Sequence, residues 1–247
     1  MIVLSGSASR GLGKALSSEL GCGLVESELR VFPDGEFKVT ADVSDKVAII
    51  VQSCPFPQTR NLAELLFLIE ACKGASKRIV VIPYFPFSRQ DKQFLKGEVV
   101  SSKAVAKLIE AMGADAVVTL DLQMKYAEPL RKEVGGKSFF FEKRRDRVTG
   151  EVKFAFPQID CKGKDVIIAD DIVTSGSTMM PAIKFSKERG AQRVFVAVTH
   201  PLFLEGVSEK LRLAGANAII ASDSFERKDV VNVSSAKSIA DAVKKLL

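Results

Sequence analysis

The sequence predicts an α/β fold made of two similar domains, each a mainly parallel sheet flanked by helices. Strand-like apolar runs alternate with amphipathic helical runs along all 247 residues, a pattern typical of parallel sheets joined by helices. One local pattern also occurs four times, twice in each half: a helical segment, then Gly-Ala, then a β-rich run. Glycine there can adopt the left-handed conformation that ends a helix, although any helix-to-strand connection favours glycine. The four pairs are Gly74-Ala75, Gly113-Ala114, Gly190-Ala191 and Gly215-Ala216.

Individual elements follow from the same patterns. The N-terminal run MIVLSGSASRG has no basic segment and no sustained apolar segment, so it predicts a first strand and turn and not a signal peptide. Runs such as Val47–Val51 and Ile79–Ile82 are strand-sized and too short to cross a bilayer. The final segment places Ile239, Val243 and Leu246 on one face of a closing helix.

The domain boundary is expected near residues 121–125. This gives an N-terminal domain over 1–122 and a C-terminal domain over 123–247, with the closing helix as a candidate to pack on the N-terminal domain.

Composition excludes few functions but favours a cytoplasmic protein without a membrane partner. The chain is 47% apolar and 27% charged, as ordinary globular proteins are. Four scattered cysteines without a CxxC pair favour free thiols in a reducing cytoplasm over disulfides or zinc. The net charge of +6 suits nucleic acid or phosphorylated small molecules. No aromatic residues follow the one dense basic cluster, KRRDR, at base-stacking spacing, so nucleic acid is the weaker interpretation.

The most informative segment is DVIIADDIVTSGST. A buried strand, Val166–Ala169, is expected to end in Asp170 and Asp171, and a small polar loop precedes a helix. Backbone N–H groups of such a loop, with a helix N-terminus, bind anions without a lysine, and strand ends of this kind are where α/β folds bind ligands. The simpler alternative is an ordinary strand-to-helix turn with Ser177 or Thr178 as the helix N-cap. The paired acids, suited to neighbouring sugar hydroxyls, favour phosphate binding.

This segment resembles the motif of the phosphoribosyltransferase fold that binds phosphoribosyl pyrophosphate (PRPP). The resemblance implies that Asp170 and Asp171 hold ribose hydroxyls, and Asp170 is also a candidate metal ligand. It implies a 5-phosphate site made of Thr174, Ser175, Gly176, Ser177 and Thr178. The family commonly has glycine where this chain has Ser177, which alters how closely the backbone approaches the phosphate.

Two further strings resemble the PRPP synthetases, the ribose-phosphate pyrophosphokinases. RVFPDGEFKV looks like their FPDGE loop, which implies ATP binding by Phe32, Asp34 and Glu36 in a neighbouring subunit's site. By itself, Pro-Asp-Gly is a β-hairpin turn. VIPYFPFSRQDKQF resembles their PYxxYxRQD segment, in which Arg89 and Gln90 contact the nucleotide; the alternative is a solvated loop after a strand.

A third string, SFFFEKRRDRVTGEV, resembles the family's catalytic loop. The resemblance implies that Lys143 and Arg145 are the catalytic pair, because two cations on a closing loop would stabilise charge in the transition state. Solvated basic hairpins are, however, common. His200, the single histidine, is interpreted as structural.

The chain departs from the family after Leu122. The family has a metal-binding histidine in a DLH motif, but this chain has Gln123 and continues directly toward the KRR strand. The linker, the hood of the second domain and a pyrophosphate loop that the family has there are absent. Either the chain is a shortened homologue or the sequence has lost an internal segment. The close match of both flanks favours the second explanation.

The resemblance therefore implies a Mg²⁺-dependent ribose-phosphate pyrophosphokinase. It would transfer the β,γ-diphosphoryl group of ATP to the 1-hydroxyl of ribose 5-phosphate, giving PRPP and AMP, and would assemble as a homo-oligomer, at least a dimer. Two alternatives stay open: a PRPP-binding phosphoribosyltransferase, and a catalytically impaired PRPP synthetase paralogue.

Overall fold

The structure, a computed structural model, describes residues 1–120 and 158–247, and the backbone of two short strands at 142–145 and 152–155. The chain forms two compact units. The first contains residues 1–120, 222–227 and 232–247, and the second contains residues 121–221 and 228–231. The predicted boundary at residue 122 lies outside the described residues and stays a prediction.

The first unit is built on a five-stranded sheet with the order β2-β1-β5-β6-β7, in which every neighbouring pair is parallel. Its strands are β1 (Ile2–Ser5), β2 (Gly23–Glu26), β5 (Val47–Val51), β6 (Lys77–Ile82) and β7 (Ala116–Thr119). Its helices are α1 (Arg10–Leu20), α2 (Gln58–Ala71), α3 (Ser101–Ala111) and the C-terminal α6 (Ala236–Lys244). An antiparallel hairpin, β3 (Glu28–Val31) and β4 (Phe37–Thr40), lies outside the sheet.

This sheet is buried on both faces, as parallel sheets usually are. Ile50 and Ile82 lie in one apolar cluster with residues of α2 and α3. Ile49 and Val81 lie in a second cluster with residues of α1 and α6. The face of α6 is the predicted one: Ile239 and Val243 are buried in the second cluster, and Leu246 packs against it.

The second unit contains most of a four-stranded sheet with the order β10-β11-β12-β13, in which the end of β12 and most of β13 are residues assigned to the first unit. Its strands are β10 (Asp165–Val173), β11 (Arg193–Pro201), β12 (Ala218–Ser222) and β13 (Val231–Val233). Two helices follow β10 and β11: α4 (Met179–Glu188) and α5 (Val207–Leu213). A separate antiparallel pair is formed by β8 (Glu142–Arg145) and β9 (Val152–Ala155).

The sheet of the second unit has a buried core on one face only, among the residues that the structure describes. Ile168, Val196 and Ile219 pack with α4 and α5 in a single cluster. The residues that alternate with them in register face the opposite side and belong to none of the apolar clusters of the described chain. We call this the open sheet face; it consists of Ile167, Ala169, Phe195, Ala197, Ala218 and Ile220. Ile167 is 46% exposed, an unusual value for an isoleucine within a parallel sheet.

The two parallel sheets and their helices confirm the predicted fold class. Three of the four Gly-Ala pairs also have the predicted left-handed glycine, namely Gly113, Gly190 and Gly215. Gly74 does not have the predicted left-handed conformation. α2 ends before it, in a turn closed by a hydrogen bond from the Ala75 N–H to the Cys72 carbonyl.

The four cysteines are free, as predicted. Burial raises the pKa of the Cys72 thiol to about 11 and also raises that of Cys54, so both thiols stay protonated and unreactive at neutral pH. Within the described ranges, no helix is long and apolar enough to cross a membrane.

The open sheet face makes a measurable prediction about stability. Ile167→Ala should lower the free energy of unfolding by about 1 kcal/mol or less, because Ile167 is half exposed. The matched variant Ile219→Ala removes the same atoms from the covered face and should cost about 2–5 kcal/mol. Urea unfolding of both variants measures the difference. Equal losses would show that the open sheet face is covered in solution.

Candidate active site

The polar loop after β10 has the backbone path of an anion-binding turn. Gly176 at its centre is buried and has φ of 73°, in the left-handed region. A Cβ built there would lie 3.3 Å from Val207 and 3.4 Å from Leu211, both on α5. The Gly176 carbonyl accepts the Met180 N–H at 2.9 Å as α4 begins. The positive φ therefore favours glycine at this position, and a larger residue would also press on side chains of α5.

The hydroxyl residues of the loop surround this turn. Ser175 and Ser177 are exposed, and Thr174 and Thr178 are half-buried. The Thr174 carbonyl accepts the Leu204 N–H at 3.0 Å, which ties the start of the loop to the connection after β11. Thr178 is the N-cap residue of α4 but makes no side-chain capping bond, so the capping alternative does not explain the run of hydroxyls. The first N–H groups of α4 have no partner within the helix and face the end of the loop.

Asp170 and Asp171 lie inside β10 and not after it, which corrects the predicted strand end at Ala169. The strand continues because Val173 pairs in register with Pro201 of β11. An oxygen of Asp170 accepts the Asp171 N–H at 3.0 Å, and an oxygen of Asp171 accepts the Ile172 N–H at 2.7 Å. Asp171 is exposed and Asp170 half-buried, at the carboxyl end of the strand where ligands bind in this fold class.

The predicted nucleotide residues of the β3–β4 hairpin lie at its tip. Phe32, Asp34 and Glu36 are exposed. The turn is closed by a hydrogen bond from the Phe32 N–H to the Glu36 carbonyl at 2.7 Å. Gly35 has φ of 93°, so the hairpin-turn interpretation of Pro-Asp-Gly is correct for the backbone. The hairpin is anchored by Phe37, whose ring lies 5.5 Å from that of Phe67 on α2.

Arg89 and Gln90 lie in an 18-residue connection, residues 83–100, between β6 and α3. Arg89 is exposed and Gln90 half-buried. Connections of this length inside a compact domain are usually functional. This one is tied to α2, because the Gln58 side chain accepts the Phe87 N–H at 3.0 Å. The sequence reasoning missed Glu98, which accepts several hydrogen bonds within the connection; a carboxylate just before a helix that ends a long loop is the signal that could have indicated it.

The predicted catalytic residues Lys143 and Arg145 lie in β8, opposite Phe154 and Val152 of β9. Only their backbone is described, and the DRVTGE segment and Gln123 lie outside the described residues. β8 and β9 form a separate two-stranded sheet, and the assignment of Lys143 and Arg145 as the catalytic pair stays a prediction.

A metal site of the usual protein type is not formed by the side chains that the structure describes. No group of three or more His, Cys, Asp or Glu residues could hold an ion there. Mg²⁺ is often held by one or two carboxylates together with substrate phosphates, and Asp170 and Asp171 satisfy that lesser requirement.

Comparison with known proteins identifies the class and then the family. Residues 1–113 match the N-terminal domain of ribose phosphate pyrophosphokinase, and residues 126–233 match the phosphoribosyl transferase domain. The ribose-phosphate pyrophosphokinase of Saccharolobus solfataricus is 30% identical over 288 aligned positions, covering 97% of this chain and 99% of the relative. That of Methanobrevibacter smithii is 33% identical over 299 positions, covering 98% and 100%. The chain therefore belongs to the ribose-phosphate pyrophosphokinase family.

A solved structure shows the same fold. The phosphoribosylpyrophosphate synthetase of Mycobacterium smegmatis superposes with a TM-score of 0.82 and 24% identity, covering 99% of this chain and 98% of that one.

The alignments also support the absent internal segment. The alignment with the Saccharolobus relative has 288 positions and includes 97% of the 247 residues, or about 240, so about 48 positions have no residue of this chain. Unaligned residues at the ends cannot produce these gaps, because they lie between aligned positions. The first family model ends at residue 113 and the second begins at 126, on either side of the join predicted at residues 122–125.

We expect Gly176→Ala to weaken binding of ribose 5-phosphate by at least about ten-fold and to destabilise the fold by about 1 kcal/mol or more, because alanine resists a positive φ and its Cβ would press on α5. Gly163→Ala is the control: Gly163 has φ of 68° but no atom within 4 Å of a built Cβ. Calorimetric titration and urea unfolding report the two effects. Equal ribose 5-phosphate affinity in both variants would remove Gly176 from the phosphate site.

Proposed function

We propose that this chain carries the sites of a ribose-phosphate pyrophosphokinase that joins ATP and ribose 5-phosphate to give PRPP and AMP. The observation that carries the proposal is the loop after β10, in which two carboxylates precede a buried left-handed glycine and a helix N-terminus. The family membership supports the same activity.

Ribose 5-phosphate is assigned to this loop. The 5-phosphate would accept hydrogen bonds from the backbone and hydroxyl groups of residues 174–178, at the N-terminal end of α4 where negative charge is stabilised. Asp170 and Asp171 would accept hydrogen bonds from the ribose 2- and 3-hydroxyls. Ser177 retains the loop backbone but adds a side chain where the family commonly has glycine.

ATP is assigned to the first unit. Arg89 would bind phosphate oxygens with paired, charge-assisted bonds, and Gln90 would contact the nucleotide as well. Phe32 would stack on adenine while Asp34 and Glu36 accept bonds from its amino group or the ribose.

A homo-oligomer would explain the placement of the two ATP-binding segments. The hairpin is anchored to α2 at Phe67, and the 83–100 connection is anchored to the same helix at Gln58. These two anchor residues are nine residues apart, or about 14 Å along the helix axis. In at least a dimer, the hairpin of one subunit would complete the nucleotide site of its neighbour.

Catalysis is assigned to positioning and to charge stabilisation. The ribose 1-hydroxyl oxygen attacks the β-phosphorus of ATP, the bond from that phosphorus to the α-phosphate oxygen breaks, and AMP leaves. Lys143 and Arg145 would stabilise the negative charge that develops on the phosphates. Mg²⁺ would neutralise phosphate charge when bound, with Asp170 as a candidate ligand on this chain.

The catalytically impaired paralogue has a specific observation in its favour. About 48 aligned positions of the Saccharolobus relative have no counterpart here. This chain also has Gln123 where the resemblance implies a metal-binding histidine. Such a chain would keep the substrate sites but make PRPP slowly or not at all.

Two measurements on the same preparation separate these functions. The proposed enzyme forms AMP from ATP only when ribose 5-phosphate and Mg²⁺ are present, and Asp171→Asn lowers that rate because one carboxylate that holds the sugar is lost. Ribose 5-phosphate binding without AMP formation would identify the impaired paralogue. Absence of both binding and turnover would contradict the proposed function.

A further inference from the structure

Hydrogen bonds in the 83–100 connection converge on one carboxylate oxygen. Oε2 of Glu98 accepts the N–H of Phe94 at 2.9 Å, the N–H of Leu95 at 3.0 Å and the side-chain amide of Gln90 at 3.2 Å. The Glu98 N–H donates in turn to the Leu95 carbonyl at 3.2 Å. Bonds to an ionised carboxylate are about twice as strong as neutral ones, so Glu98 is the main support of this segment.

The same contacts determine which way the Gln90 amide points. Its nitrogen donates to Glu98 and also to the Lys92 carbonyl at 3.1 Å. Both partners can only accept hydrogen bonds, so the atom that faces them must be the amide nitrogen. The other polar atom of the side chain, the carbonyl Oε1, is therefore the one that can meet a ligand.

The backbone of Gln90 is held just as firmly. Its N–H donates to the Phe87 carbonyl at 3.1 Å, and its carbonyl accepts the Ser102 hydroxyl at 3.2 Å at the start of α3. Phe87 itself has φ of 57°, which is uncommon for a bulky residue and is a strained conformation. Its N–H bond to Gln58 and its packing against the cluster of α2 and α3 retain that conformation.

We propose that Glu98 is a positioning residue that fixes Gln90 as a hydrogen-bond acceptor toward the nucleotide base. This inference rests on the proposed function, in which Gln90 contacts ATP. Adenine carries an amino donor where guanine carries the O6 acceptor. A fixed acceptor therefore favours ATP over GTP, and Glu98 sets that preference without touching either nucleotide.

The test is calorimetric titration of the protein with ATP and with GTP in variants of Glu98. Glu98→Ala removes the charged acceptor of the Gln90 amide nitrogen and leaves only the Lys92 carbonyl to hold it. The amide can then rotate and present its nitrogen, so the ratio of the GTP and ATP dissociation constants should fall by about five- to ten-fold. Glu98→Gln keeps an acceptor for the same three donors and should retain most of the ratio. Glu98→Asp keeps the charge but withdraws it by one methylene, and should give an intermediate ratio even if the alanine variant does not fold.

Glu70→Ala is the matched control, because Glu70 is an exposed glutamate of α2 paired with Lys73. It should leave both dissociation constants unchanged. A purely structural role of Glu98 would weaken ATP and GTP equally, and an unchanged ratio in Glu98→Ala and Glu98→Asp overturns the proposal while leaving ATP binding intact. If the unmodified protein binds neither nucleotide, the proposed function itself fails.

Discussion

The candidate sugar-phosphate site depends on the close packing of Gly176 against α5. The backbone takes a left-handed turn there, and a Cβ built on Gly176 would lie within 3.4 Å of side chains of α5. That turn directs the loop away from β10 and starts α4 so that its first N–H groups face the loop. This glycine lies between the carboxylates of β10 and the N-terminus of α4, the groups proposed to form the sugar-phosphate site.

The two units differ in how completely their sheets are covered, and this difference bears on function. The first unit has apolar clusters on both faces of its sheet. The second has a cluster on one face, and the open sheet face lies on the other among the described residues. About 48 positions of the alignment with the Saccharolobus relative have no residue of this chain. The segments proposed to bind ATP lie in the first unit, and the loop proposed to bind the sugar phosphate lies in the second.

Much of this architecture was readable from periodicity and from local turn chemistry. The strands, the face of α6 and three left-handed glycines followed from apolar spacing and from the Gly-Ala pairs. The extent of β10 did not, because it is set by pairing with β11, which is distant in sequence. The hydrogen bonds of Glu98 could not be predicted either, because its partners lie in an irregular loop that has no helical or strand periodicity. The open sheet face could not be foreseen, because alternation shows which residues share a face but not whether another element covers it.

The most direct test of the account compares ribose 5-phosphate, ribose and inorganic phosphate as ligands in calorimetric titrations of the unmodified protein. A loop that binds the 5-phosphate at a helix N-terminus while carboxylates hold the sugar should bind ribose 5-phosphate at least about 100-fold more tightly than ribose, since two or more hydrogen bonds to a charged group are lost with the phosphate. Inorganic phosphate should compete with it for the same site. Equal affinity for ribose and ribose 5-phosphate, or no competition by phosphate, would contradict the assignment of this loop.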